Sequence, residues 1–208
     1  MSDEAQASIF EFLGQPSTHR GETVRRIDTH GAAVFLAGDR ALKVKRAVSF
    51  PFLDYSTLDK RRTACAAELE VNRRFAPQLY RRVVPITREK NGKLALDGRG
   101  KVVEWAVEMH RFDESQTLDR LADRGALDSR MAEKLAAMAL AMHRSARSAD
   151  VVQWLSAVES YIGQNTEAFR AYPDLFPEAT LVQLEGSMRH ELERLRPLLI
   201  ERGRQGFV

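Results

Sequence analysis

A change of pattern near residue 113 constrains this chain more than any other feature. Before it, short β-prone runs alternate with glycine-bearing turns and one helical stretch; after it, apolar residues recur at helical spacing. Residues 3–13 read as an amphipathic helix with Ala5, Ile9 and Leu13 on one stripe and Gly14 as its stop, followed by a polar linker over 15–21. Residues 24–28 and 32–36 read as strands separated by Thr29-His30-Gly31. Gly38-Asp39-Arg40 then predicts a turn, so 32–48 reads as a hairpin. Pro51 interrupts, and Ser56 or Thr57 caps a helix over 58–75 that Pro77 ends. Three further strands are expected over 80–87, 93–96 and 101–108, with Asn91-Gly92 and Gly98-Arg99-Gly100 between them. This order predicts an α+β fold: a mostly antiparallel sheet with one helix laid against it.

Beyond Phe112 the β signal stops. Ser115 or Thr117 starts a short helix to Asp123, and Asp128 caps a longer one through Ala146 carrying Met131, Leu135, Met138, Ala139 and Met142. A third helix is expected over 150–171. A fourth carries Leu181, Leu184, Met188, Leu192, Leu195 and Leu199, with Pro197 expected to kink or restart it. Gly203 and Gly206 end that helix, and Phe207-Val208 opens an apolar run. The chain thus divides into an N-terminal helix and linker (1–19), a β-rich lobe (20–112) and a helical part (113–208).

Composition removes several function classes. The one cysteine, Cys65, excludes an intrachain disulfide and any cysteine-built zinc or iron–sulfur site. Lys and Arg number 32 against 29 Asp and Glu, a net charge of +3. The signs are mixed, as in Glu191-Leu192-Glu193-Arg194, so the excess does not make the one-sided basic face that nucleic acid requires. No apolar stretch approaches the ~20 residues of a membrane span, and the first six residues lack the form of a secretory signal. The expected setting is cytoplasmic, without membrane partners. Hydrophobic residues at 44% and charged residues at 29% describe an ordinary globular chain.

Chemistry concentrates on Ala41-Leu42-Lys43. Strand alternation puts Ala41, Lys43 and Lys45 on one face, with Leu42 and Val44 on the other. In a kinase-type nucleotide cleft, a third-strand lysine reaches the phosphates, and a small residue two positions earlier makes room for adenine. Lys45 is the rival to Lys43, and the solvated side of an edge strand is the plainer alternative for both. Such a lysine needs a carboxylate on the following helix. Glu68, in Cys65-Ala66-Ala67-Glu68-Leu69, has small neighbours that permit close approach, whereas Glu70 points elsewhere. Thr29-His30-Gly31 offers a turn whose N–H groups and Thr29 hydroxyl could approach phosphate. No Gly-x-x-x-x-Gly-Lys-Ser/Thr loop, Gly-x-Ser-x-Gly elbow or paired-histidine metal motif occurs. Where strand gives way to helix, Glu108, Met109 and His110 occupy the position of a hinge that would read adenine through its backbone.

Val34-Phe35-Leu36-Ala37-Gly38-Asp39-Arg40-Ala41-Leu42-Lys43-Val44-Lys45-Arg46, Phe50-Pro51-Phe52-Leu53-Asp54-Tyr55-Ser56-Thr57, Cys65-Ala66-Ala67-Glu68-Leu69-Glu70-Val71-Asn72 and Ala76-Pro77-Gln78-Leu79-Tyr80 together carry a resemblance. The series resembles the N-terminal part of bacterial aminoglycoside-phosphotransferase-family domains, many of which precede a P-loop ATPase domain. The resemblance covers about residues 20–208 and is most specific over 34–80. It implies a protein-kinase-like fold with a β-rich N-lobe and a helical C-lobe. It also implies ATP and Mg²⁺ as cofactors of the complete domain and transfer of the γ-phosphoryl to a small-molecule hydroxyl. Lys43 would contact phosphate, Glu68 would be its partner, and Glu108–His110 would form the hinge.

The family's His-Gly-Asp-x-His-x-x-Asn catalytic motif is not found, since no His-x-Asp occurs in the chain. The expectation is therefore a domain truncated before its catalytic loop, inactive alone, with neither catalytic nor metal-binding residues of its own. A non-catalytic nucleotide- or protein-binding regulatory module is the alternative, with self-association through exposed C-lobe helices.

Overall fold

The computed structural model describes residues 3–50 and 52–207; Met1, Ser2, Pro51, Val208 and the side chains of Asp3, Glu4 and Ala5 lie outside the described residues. The fold is α+β, and the chain forms two compact units, Met1–Ala132 and Glu133–Val208.

The first unit is built on a six-stranded antiparallel sheet. Its strands are β1 (Val24–Asp28), β2 (Ala32–Ala37), β3 (Arg40–Lys45), β6 (Tyr80–Arg88), β7 (Leu94–Leu96) and β8 (Lys101–His110), in the spatial order β1-β2-β3-β8-β6-β7. Between β3 and β6 lie a small hairpin, β4 (Ser49–Phe50) with β5 (Leu53–Asp54), and then helix α2 (Leu58–Arg73). That hairpin occupies the segment where the sequence suggested only an interruption. The two-residue β2–β3 turn places Gly38 at φ +55°, a left-handed conformation that glycine adopts without Cβ strain. The side chain of Thr57, rather than Ser56, caps α2 by accepting from the Lys60 N–H.

Pairing of Phe35 with Leu42, Val44 with Ala106, and Val84 with Ala106 brings these residues to one face of the sheet. Helix α1 (Asp3–Gly14) covers that face, adding Ile9, Phe10 and Leu13 to a core with Phe35, Leu42, Val44, Val84, Ile86 and Ala106. Each such side chain contributes about 1.5–3 kcal/mol on burial. The N-terminal helix is therefore part of the core of this unit, and two helices flank the sheet where one was expected. The opposite face carries Val34, Ala41, Lys43, Val107 and Met109, and α2 lies against it. After β8 come a 3-10 turn (Glu114–Gln116) and α3 (Leu118–Asp123).

Helix α4 (Ser129–Ser145) contains the border between units. In the second unit, α5 (Val151–Arg170) packs on α6 (Glu178–Arg204) through Leu155, Ile162 and Leu192. Asp150 caps α5 by accepting from the Val152 and Gln153 N–H groups. Pro197 neither ends nor restarts α6, which runs through it with one backbone N–H fewer. Among the described residues, no helix is long and apolar enough to cross a membrane.

Candidate functional site

The centre of the α2-facing sheet surface holds an ion-paired triad. Because β3 lies between β2 and β8, Lys43 and Lys45 stand on an interior strand, not on the edge strand of the plainer alternative. Alternation sends both toward α2, where Glu68 receives them. Lys43 Nζ donates to Glu68 Oε1 at 2.8 Å, and Lys45 Nζ donates to Oε2. The side chains of Lys45 and Glu68 are 9% and 10% exposed, that of Lys43 30%. Burial opposes the Glu68 charge, but the two lysines outweigh it and hold its carboxyl below the ordinary value. Burial likewise opposes the Lys45 charge, and the Glu68 hydrogen bond overrides it, raising its pKa. Cys65, one turn before Glu68, is fully buried, and burial pushes its thiol up to about 12, so it is no nucleophile at neutral pH.

Beside this triad lies a largely apolar cavity of about 370 Å³, lined by Ile27, Val34, Ala41, Lys43, Tyr80 and Met109 among others. Its size lies within the range of about 300–1,000 Å³ common to small-ligand sites. Ala41 pairs with Met109 across the β3–β8 ladder, and Tyr80 pairs with Met109 on the other side, so three strands converge at this point. The cavity continues along His110, Arg111, Phe112 and Glu114.

The candidate hinge is distributed differently from the sequence expectation. Glu108 does not line the cavity: it pairs with Leu42, whose side chain belongs to the opposite core, and its buried carboxylate accepts from Arg82 Nε at 2.8 Å. The odd–even alternation of β8 is the reason, since only Met109 and not Glu108 shares a face with Lys43 and Ala41. His110 N–H donates to the Leu79 carbonyl and Arg111 N–H to that of Asp39. The connector that leaves β8 therefore begins at Arg111, and Met109 and His110 are strand residues.

The Thr29-His30-Gly31 turn is closed by bonds between Thr29 and Ala32. Thr29 Oγ1 accepts from the Ala32 N–H at 3.0 Å, and the Thr29 N–H donates to the Ala32 carbonyl. Thr29 lines the cavity, whereas the His30 ring lies against Phe50, centroids 6.3 Å apart. A Cβ on Gly31 would meet Leu53 Cδ2 at 3.2 Å, so glycine lets the β4–β5 hairpin pack close to the turn. Among the described residues, no three His, Cys, Asp or Glu side chains gather in a group that could hold a metal ion.

Three groups were not singled out in the sequence. Tyr80 closes the cavity from β6. Glu114, paired with Arg25 Nη1 at 2.9 Å, stands at its rim. Arg61 and Glu104, both wholly buried, join at 2.8 Å and anchor the start of α2 to β8. Position carried a signal for the last pair: Arg61, Cys65 and Glu68 follow at steps of four and three, one stripe of a helix.

Among known sequences, the chain is similar to an uncharacterized protein of Mycobacterium bovis and to uncharacterized proteins from two strains of Mycobacterium tuberculosis. Each is 37% identical over 114 residues, 52% of this chain and 21% of the relative. The chain thus spans about a fifth of the length of these curated relatives. No protein-family profile and no solved structure matches it.

Proposed function

We propose that the α2-facing cleft binds ATP, in a domain related to small-molecule kinases of the aminoglycoside phosphotransferase type. One observation carries the reading. Lys43, paired with Glu68 at 2.8 Å, lines a largely apolar cavity next to the small residue Ala41. A flat base needs apolar walls and a gap beside one of them, and a polyphosphate needs a positioned cation that is not fully buried. Val34, Ala41 and Met109 supply the walls, and Lys43 supplies the cation. The strand order, with the lysine strand beside the strand that leads to the connector, supports the same reading.

ATP would bring a transferable γ-phosphoryl group, and the acceptor class is a small-molecule hydroxyl. The residues of this chain bind and orient; with no His-x-Asp sequence present, none is assigned as base. The reading is nucleotide binding without phosphoryl transfer by this chain alone.

Calorimetric titration of the 208-residue chain with ATP tests it. Saturable binding that Lys43→Ala removes is expected, with no ATP turnover. Absence of binding by the unaltered chain overturns the nucleotide reading, and turnover that Lys43→Ala abolishes overturns the assignment of inactivity.

A further inference from the structure

The second unit holds a basic cavity that the nucleotide reading does not use. Helix α4 ends at Ser145 and α6 at Arg204, and the segments beyond them approach closely: a Cβ on Gly206 would stand 3.3 Å from Ser148 Oγ. The concavity they enclose has a volume of about 740 Å³, within the range of about 300–1,000 Å³ common to small-ligand sites. His143, Arg144, Arg147 and Arg202 line it, and no Asp or Glu does.

Elsewhere in this unit arginine is neutralised on its own surface. Arg170, Arg189, Arg194, Arg196 and Arg204 each pair with a glutamate. Arg144 and Arg202 form no such pair among the described residues; the Arg202 guanidinium lies over the Phe207 ring, 5.6 Å from its centroid. Glu201, in the same turn as Arg202, is taken by Gln205 Nε2 at 2.8 Å and by Arg204. The plainer role for basic residues at helix ends is to offset the macrodipole, about half a negative charge at each C-terminus. Here Arg144 and Arg202 together exceed the two helix ends by about one positive charge. Backbone N–H groups already satisfy carbonyls at both ends: Ala146 donates to His143, Gly206 to Gly203 and Phe207 to Arg202.

We propose that this cavity binds a small phosphomonoester, its phosphate held by Arg144 and Arg202 and its organic body lying against Leu140 and Phe207. A guanidinium donates two parallel N–H bonds to a phosphate, and arginines on two different helices hold a dianion from two sides. His143 and Ser148 add further donors in the lining. Leu140 and Phe207 are both exposed there, an apolar surface that inorganic phosphate alone does not use. The site lies wholly within the second unit and does not depend on the nucleotide reading.

Calorimetric titration of the 208-residue chain with phenyl phosphate and with inorganic phosphate tests this. Saturable binding of phenyl phosphate, tighter than that of inorganic phosphate, is expected. Arg144→Gln/Arg202→Gln should weaken it by about tenfold or more, because two charge-assisted contacts are lost. Arg189→Gln/Arg194→Gln removes the same charge from paired arginines of the same unit and should leave it unchanged. All four side chains are exposed, so neither variant disturbs a core. Equal losses in the two double variants would make binding a general effect of charge and overturn the proposal. So would the absence of saturable phenyl phosphate binding, or binding that survives without Arg144 and Arg202. Inorganic phosphate binding as tightly as the ester would overturn the assignment of an organic body.

Discussion

Substitution of Arg61 makes the sharpest stability test, because its environment is fully specified. The side chain is wholly buried; Nε donates to both Glu104 oxygens, at 2.8 and 3.0 Å, and Nη1 to the Tyr55 carbonyl at 2.9 Å. Arg61→Met leaves Glu104 in the interior with only neutral donors, the Gln6 amide at 2.9 Å and the Trp105 backbone N–H at 3.0 Å. Stranding one member of a buried pair costs about 3–5 kcal/mol. Glu104→Gln strands the guanidinium instead and should cost a similar amount. The double variant strands no charge, so its loss should fall short of the sum of the singles by about 0.5–3 kcal/mol. Urea unfolding followed by Trp105 emission reads this, in a Trp154→Phe background so that one tryptophan reports. A midpoint shift at constant slope is the expected form. Additive single losses, or an Arg61→Met loss below about 1 kcal/mol, would refute the claim that the pair is desolvated and coupled.

Two further outcomes follow from the first unit. Ile9 is 1% exposed in the sheet core, so Ile9→Ala should lower unfolding stability by about 2–5 kcal/mol; a negligible loss would show α1 to be detachable from the sheet. Buried His19 accepts at Nδ1 from Arg40 Nη2 at 3.0 Å and donates from Nε2 to the Leu13 carbonyl at 2.7 Å, an arrangement for the neutral ring. Burial, with the Arg40 charge, lowers its pKa below 6.5 despite that carbonyl. The stabilisation is thus present above pH 6.5 and lost as pH falls toward the folded value. The melting midpoint should drop between pH 7 and about 5.5, and His19→Gln should flatten that drop.

Most of the first unit is legible in the strand–turn pattern of the sequence. The six expected strands form the sheet, and Asn91-Gly92 and Gly38-Asp39 lie between strands as their turn chemistry requires. Local signals do not say which strand is interior, and that is why Lys43 and Lys45 remained compatible with a solvated edge until pairing put β8 beside β3. The same limit explains Glu108. Its place in a connector or a strand depends on how far the β6 and β3 ladders extend along β8, a long-range property. Helix α1 was legible as a helix, but its docking was not, because an amphipathic stripe does not name its partner. Pro197 is a different case: a strong local breaker that would end a helix elsewhere lies inside α6, which runs without a break from Glu178 to Arg204.

Helix α2 ties these points together. Its buried residues are Arg61 and Cys65, with Glu68 one turn further, so its sheet-facing stripe carries charges where an ordinary core helix carries aliphatic side chains. Apolar contacts tolerate small rotations and slides, whereas an ion pair at 2.8 Å at each end of two helical turns does not. A shift of one residue along α2 would rotate the stripe by about 100° and break both anchors together. The arginine anchor sits where β3 has already left β8, beyond the Val44–Ala106 pair, so Arg61 reaches Glu104 past the end of the ladder. The lysine anchor sits within the ladder itself. One helix is thereby registered against two strands at two depths, and the orientation of Glu68 toward Lys43 follows from both anchors together.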